Sequence, residues 1–242
     1  MKAIVLAGGF GKRLGHLTLS TPKPMLEIHN KPFICYLFDR LSFFEIDEVI
    51  LCIHYQKDKF KEYFSKYYKK LKITFSEEKK PLGTGGAIKN ALKYIDNDDP
   101  FLIMNGDSFL DIDLGILKDF HVSNNLDLTI TIKRMNNCKR YGQIILNNKK
   151  ISKFLYPGKN VPGFINSGVY ISHRQIFKSI ILKSIFSFEK DFLKKNISNI
   201  KSMCFKTDDY FIDIGVVEDY RKLCNEYYKL KNFKKYKDFK KN

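Results

Sequence analysis

The chain opens Met1-Lys2-Ala3-Ile4-Val5-Leu6-Ala7-Gly8-Gly9-Phe10-Gly11, and this opening leaves few folds available. A short apolar run, Ala3–Ala7, that stops on glycines marks a buried parallel strand entering a tight turn. The segments that follow alternate in period. Pro32–Phe44 sets Phe33, Tyr36, Leu37, Arg40 and Leu41 at helical spacings. Glu48–His54 reads as a second buried strand, Lys57–Leu71 as a charged helix and Lys72–Glu77 as a strand. Thr84–Ile95 then reads as a helix, and Phe101–Asn105 as a strand ending on Gly106-Asp107. Strands separated by helices of about ten to fifteen residues imply βαβ units, right-handed crossovers and a mostly parallel sheet.

The second half reads differently. Leu128–Lys133, Gln143–Leu146, Ile151–Leu155 and Gly168–Ser172 are strand-like with turn residues between them, which suggests antiparallel additions. Helices near Arg174–Leu182 and Phe188–Lys195, strands near Lys201–Phe205 and Tyr210–Ile214, and a helix at Val217–Leu230 complete the pattern. The expected class is α/β: a Rossmann-like, mostly parallel sheet flanked by helices, with antiparallel additions in the second half. Residues 1–230 form one domain. Residues 231–242 form a basic, solvated tail, since Lys229–Asn242 holds seven lysines and little periodicity.

Net charge is +17, which invites a polyanion-binding reading. The lysines, however, are spread along the chain among Asn, Ile and Phe, without the clustered arginines or strand aromatics of a nucleic-acid surface. A positive field of this kind still gathers anionic small molecules. The five cysteines are scattered and contain no C-x-x-C pair, so neither zinc nor thioredoxin-like chemistry is supported. They read as small buried residues of a reducing compartment. No apolar run reaches the length of a membrane span, and the segment before the first glycines is too short for a signal peptide. The expectation is a cytoplasmic protein without membrane or nucleic-acid partners. Assembly into a homo-oligomer is compatible with this composition.

The chemistry begins in Leu6-Ala7-Gly8-Gly9-Phe10-Gly11-Lys12-Arg13-Leu14, followed by Thr21-Pro22-Lys23-Pro24-Met25. Glycines after a first strand let backbone N–H groups close on phosphates as an anion nest. The stretch does not match a Walker A loop, and Leu14 stands where a dinucleotide fingerprint needs its third glycine. Arg13 offers a rigid fork of donors, and Lys23 a compact charge on a loop stiffened by Pro22 and Pro24. A tight turn with surface cations would carry the same residues.

A second glycine run, Gly83-Thr84-Gly85-Gly86, lets a planar base lie against backbone at a helix start, and Glu78 precedes it. Asp107, in Asn105-Gly106-Asp107, stands at the carboxyl edge of a parallel sheet, where such folds bind ligands. Its carboxylate is a hard ligand suited to Mg²⁺. Asp111 and Asp113 read as caps of a helix beginning near Leu114.

These residues resemble the sugar nucleotidyltransferase family from Met1 to about Leu230. The family's opening, Leu-Ala-Gly-Gly-x-Gly-x-Arg-Leu, is matched at every fixed position, and so is its Pro-Lys-Pro-Met segment. The resemblance implies that Leu6, Ala7, Gly8, Gly9 and Gly11 wrap a triphosphate. It gives Arg13 and Lys23 the catalytic cation roles, and puts Glu78 and Gly83 on the base. Asp107, with Asn105 and Gly106, and Asp213 of Asp213-Ile214-Gly215-Val216-Val217-Glu218-Asp219-Tyr220 imply a shared Mg²⁺. Asn166, in Asn166-Ser167-Gly168-Val169-Tyr170, borders the sugar in the family. Glu189, in Ser187-Phe188-Glu189-Lys190-Asp191, resembles a stretch common among shorter members, and a plain helix start fits it equally.

One departure stands out. Tyr156-Pro157-Gly158-Lys159 occupies the place where many members carry a Glu-Lys pair on the sugar and its phosphate, leaving Lys159 as a substitute. The change implies an unusual sugar or reduced activity.

The reaction implied is transfer of a nucleotidyl group from a nucleoside triphosphate to a sugar 1-phosphate, with pyrophosphate released, for surface polysaccharide synthesis. The Pro81–Ile88 run resembles the heptose 1-phosphate guanylyltransferases, which favours GTP and a manno-configured heptose 1-phosphate. Mannose 1-phosphate guanylyltransferases and small uridylyltransferases share it. A non-catalytic nucleotide-sugar-binding regulator would have lost Asp107 and Asp213, and both are present.

Overall fold

The computed structural model describes the chain apart from residues 47, 67, 69, 96–98, 148–149, 156–157, 159, 179–182 and 232–242. Strand β1 (Lys2–Leu6) leads through the glycine turn to a short hairpin, β2 (Glu27–Ile28) and β3 (Lys31–Pro32), and then to helix α1 (Phe33–Phe43). Next come β4 (Glu48–Ile53), α2 (Lys57–Lys66), β5 (Lys72–Glu77), α3 (Gly83–Ala91), β6 (Phe101–Asn105), β7 (Ser108–Leu110) and α4 (Leu114–Ser123). The second half holds β8 (Leu128–Met135), β9 (Gln143–Asn147), β10 (Lys150–Leu155), β11 (Gly163–Ser172), α5 (Gln175–Lys178) and α6 (Lys194–Asn196). It closes with β12 (Ser202–Thr207), β13 (Phe211–Asp213) and α7 (Val217–Asn225). The basic tail (all but Lys231) and Tyr156, Pro157 and Lys159 of the departure lie outside the described residues.

β5, β4, β1 and β6 lie side by side and parallel, giving the expected core of the sheet. β11 then joins β6 antiparallel, with β9 and β8 also antiparallel to β11, β10 antiparallel to β9, and β12 parallel to β8. The first strands read as continuous apolar runs because both faces of the sheet are covered. Ala3 and Val5, Val49 and Leu51, and Leu102 and Met104 point into one core with α1, α2, α4 and α7. Ile4, Ile50 and Ile103 point into the other, with α3 and Phe188. This alternation is the period of two of an extended chain.

The structure corrects one expectation. Asp113 caps α4, accepting from the N–H groups of Gly115 (2.7 Å) and Ile116 (3.0 Å). Asp111 does not. It is buried, and its Oδ1 accepts from Arg40 Nη1 at 2.7 Å, joining α1 to the turn after β7. The Arg40 guanidinium lies between the rings of Phe44 and Phe109. A carboxylate two residues before a cap carries the same sequence signal as the cap, and the Arg40 side chain decides between them. The other revisions concern lengths. Asn166 lies inside a ten-residue β11 rather than before it, and Phe188–Leu193 is a π-helical turn.

Two stability predictions follow from buried groups. Arg40→Met should lower the unfolding free energy in guanidinium titrations by about 3–5 kcal/mol, because it strands the Asp111 charge, and Arg40→Met/Asp111→Leu should regain much of that loss. Buried His121 hydrogen-bonds Thr129 Oγ1 at 2.8 Å and stacks on His173. Burial pushes its pKa down to about 4 from 6.5. The unfolded chain therefore takes up this proton first on acidification. Stability should fall as pH drops from about 6.5 toward 4, by an amount on the order of 3 kcal/mol, and His121→Gln should flatten the fall.

Candidate active site

The carboxyl ends of the four parallel strands converge on one edge. The glycine turn leaves β1, His54 follows β4, Glu78 follows β5, and Asn105 ends β6 with Asp107 two residues on. Gly11 holds φ +64°, and a Cβ there would lie 2.9 Å from Thr18 Cγ2 and 3.2 Å from Lys23 Cβ, so the turn folds tightly onto the lysine segment. At Gly8 a Cβ would stand 3.1 Å from Glu78 Oε1, and the bare backbone leaves room between the two loops.

Three adjoining hollows lie along this edge. The first, about 360 Å³, is lined by Leu6, Gly8, Gly9, Glu78, Gly83 and Asn105 among others, with Asp107 and Glu189 at its borders. The second, about 190 Å³, is lined by Leu6, Ala7, Gly9, Gly11, Lys12, Arg13, Lys23, Pro24 and Asp107. Its walls are glycine backbone and cations, the surroundings a polyphosphate needs. The third, about 200 Å³, is bounded by Tyr141, Ile144, Phe154, Asn166, Glu189 and Lys190 among others. Leu6, Gly9 and Asp107 belong to the first and second hollows, and Glu189 to the first and third. Gly106 lines none of the three. Its N–H donates to the Leu6 carbonyl at 2.8 Å and ties the ends of β1 and β6 together.

Glu78 is 7% exposed. Burial pushes its pKa up, while the Leu82 N–H, donating to Oε2 at 2.9 Å, holds it down. That bond uses one carboxylate oxygen and leaves Oε1 beside Gly8.

Asp107 and Asp213 meet because β13 pairs antiparallel with β7, placing Asp213 opposite Ser108, and because the Ile214 N–H donates to the Asp107 carbonyl at 3.1 Å. Lys23 stands between them. Its Nζ donates to Asp107 Oδ2 at 2.7 Å and to Asp213 Oδ1 at 3.2 Å. The lysine side chain is 7% exposed, that of Asp213 19% and that of Asp107 39%, so the pair opens to solvent on the Asp107 side. Burial raises the Asp213 pKa; Lys23 opposes this and the Asp107 charge adds to it. Arg13 is exposed, and its Nη2 lies 3.2 Å from where a Cβ on Gly215 would sit, beside the Asp213 loop.

Arg140 carried no signal in the sequence. It stands 3.8 Å from Asp213 Oδ2 and hydrogen-bonds Asp219 at the start of α7. Its loop has no periodicity or glycine signature to mark it. Glu189 is held by three hydroxyls: Thr84 (2.9 Å), Ser187 (3.2 Å) and Tyr170 (3.3 Å). Asn166 donates to the Tyr170 oxygen at 2.6 Å. Thr84 therefore works across to the π-helical turn rather than capping its own helix, and Phe188 N–H donates to it at 2.8 Å. The stacked rings of Phe177, Phe188 and Phe192 seat that turn.

Among the described residues no three His, Cys, Asp or Glu side chains gather to enclose a metal ion. Two carboxylates facing one another across 2.7 and 3.2 Å contacts to a single cation are a different donor set. It suits Mg²⁺, which takes one or two carboxylates and completes its shell with water and substrate phosphates.

Known proteins similar to this chain cover nearly all of its length. Residues 2–229 match the family model described as nucleotidyl transferase. The chain is 42% identical over 226 residues to a D-glycero-alpha-D-manno-heptose 1-phosphate guanylyltransferase of Aneurinibacillus thermoaerophilus, covering 93% of this chain and 98% of that protein. An enzyme of the same name from Campylobacter jejuni is 42% identical over 221 residues, covering 91% and 97%. The crystal structure of HddC from Yersinia pseudotuberculosis complexed with GMP-PN superposes with a TM-score of 0.82 at 34% identity, covering 93% of this chain and 99% of that one. Among the described residues no helix is long and apolar enough to cross a membrane. With its family model spanning residues 2–229 and a relative 42% identical over 226 residues, the chain belongs to the nucleotidyl transferase family.

Proposed function

We propose that this protein transfers a guanylyl group from GTP to D-glycero-α-D-manno-heptose 1-phosphate and releases pyrophosphate. The observation that carries the reading is a set of three linked hollows: a base-sized cavity joins a glycine-and-cation cradle through Leu6, Gly9 and Asp107, and joins a third hollow edged by Asn166 through Glu189. The two bacterial relatives named for this activity support the choice of base and sugar.

An oxygen of the acceptor phosphate attacks the α-phosphorus, and the bond from that phosphorus to the oxygen bridging the β-phosphate breaks. A phosphate monoester dianion is already a nucleophile, so no serine, cysteine or histidine is required. The chain's task is to hold two anions in line and to meet the charge spreading over the transferred phosphate. Gly8, Gly9 and Gly11 offer backbone donors to the triphosphate, and Arg13 and Lys23 supply positive charge on its flank. Glu78 accepts from the N–H edge of guanine with its Oε1, and Asn166 and Glu189 orient sugar hydroxyls. Asp107 and Asp213 would hold Mg²⁺, which supplies charge neutralisation at the reacting phosphates. Substrates of this kind belong to the cytoplasm.

The direct test is a pyrophosphate-release screen of four nucleoside triphosphates against a panel of sugar 1-phosphates with Mg²⁺. GTP with the heptose 1-phosphate should give the fastest turnover. Turnover with UTP but not GTP discards the base assignment, and silence with every pair discards the reaction. Arg13→Ala should cut kcat by about a hundredfold or more without changing the melting temperature, because the side chain is exposed. Near-normal turnover in that variant removes its role. Glu78→Gln should lower the kcat/KM preference for GTP over ATP by roughly tenfold or more, since the amide mispairs one donor of guanine.

A further inference from the structure

We propose that the Lys23 ammonium is the resident counter-ion of the Asp107–Asp213 pair, closing it to divalent cations until nucleotide phosphates draw the ammonium off. The inference rests on the reading of these two carboxylates as the metal pair, and concerns the order in which that pair becomes available.

The geometry argues for it. Lysine seldom sits at 7% exposure without full pairing, and here its Nζ touches one oxygen from each carboxylate, at 2.7 and 3.2 Å. The second oxygen of Asp213 faces Arg140 at 3.8 Å. Arg140 is already held by Asp219, so within this partly buried site it is the Lys23 ammonium that stands between the two carboxylates. Adding a divalent ion beside the ammonium would crowd like charges where screening is weak. Lys23 also lines the glycine-and-Arg13 hollow, so phosphates entering that hollow compete for the same ammonium. Once Lys23 turns to them, the charges of Asp107 and Asp213 lose their counter-ion, and the like-charge repulsion between them is what a divalent ion relieves. Nucleotide and metal then bind with positive coupling, and the nucleotide-free enzyme binds metal poorly.

Mn²⁺ binding to the nucleotide-free protein tests this, read from loss of the free-ion EPR signal. The wild type should bind weakly, and Lys23→Met roughly tenfold or more tightly. Adding Asp213→Asn to Lys23→Met should abolish the gain. Mn²⁺ should also raise the melting temperature of Lys23→Met more than that of the wild type, since a ligand stabilises the state it binds. If Lys23→Met does not fold, Lys23→Gln, which keeps an N–H donor for the carboxylates, should show the same two gains. Equal Mn²⁺ affinity in wild type and lysine variants overturns the inference while leaving the enzymatic reading to the pyrophosphate screen. No Mn²⁺ site in any lysine variant overturns both this inference and the metal-ligand roles of the two aspartates.

Discussion

Two carboxylates from separate halves of the chain are forced together here, and the site depends on what forces them. β7 and β13 are three residues each, yet their ladder, with the Ile214 N–H on the Asp107 carbonyl, fixes Asp213 beside Asp107. Left alone, the pair would repel. Lys23 offsets that repulsion, and the glycine turn that packs on Lys23 inherits its position from the same arrangement. The anion cradle, the acidic pair and the end of the sheet are one mechanical unit.

The supports of this unit include buried polar contacts beside the apolar packing of Phe109, Leu110, Ile212 and Ile214. Arg40 and Asp111 pin α1 to the segment just after β7, with the guanidinium sandwiched by Phe44 and Phe109. The Asp111 N–H in turn donates to the Tyr210 carbonyl at 2.8 Å, immediately before β13. A core ion pair of this kind adds little net stability against an apolar substitute, but it fixes one register, and the register is what the acidic pair requires.

Much of this was legible in the residues. β1, β4 and β6 were readable because both their faces are buried, which makes them near-continuous apolar runs. The glycine turn and Asp107 stood out because backbone approach to phosphate and hard-metal ligation each restrict the residue types allowed, while Glu78 and Asp213 entered through the family resemblance, and the fold brings Asp213 to Asp107. β2, β3 and β7 were not, since two or three residues carry no period, whereas β13 fell inside the strand expected near Tyr210–Ile214. Lys23 was recognised as a cation but not as a buried one, because burial of a lysine is a property of its partners and those come from distant segments. Arg140 and the Tyr170 hydroxyl escaped for the same reason.

Glu189 belongs to two hollows at once, and its three hydroxyl partners come from different walls. Thr84 rises from the helix beneath the first hollow, while Tyr170, steadied by Asn166, rises from the strand behind the third. The carboxylate is therefore a hinge-pin shared by both chambers. Retooling one chamber for a new substrate will shift the other, and paired substitutions across the wall will depart from the sum of their separate effects.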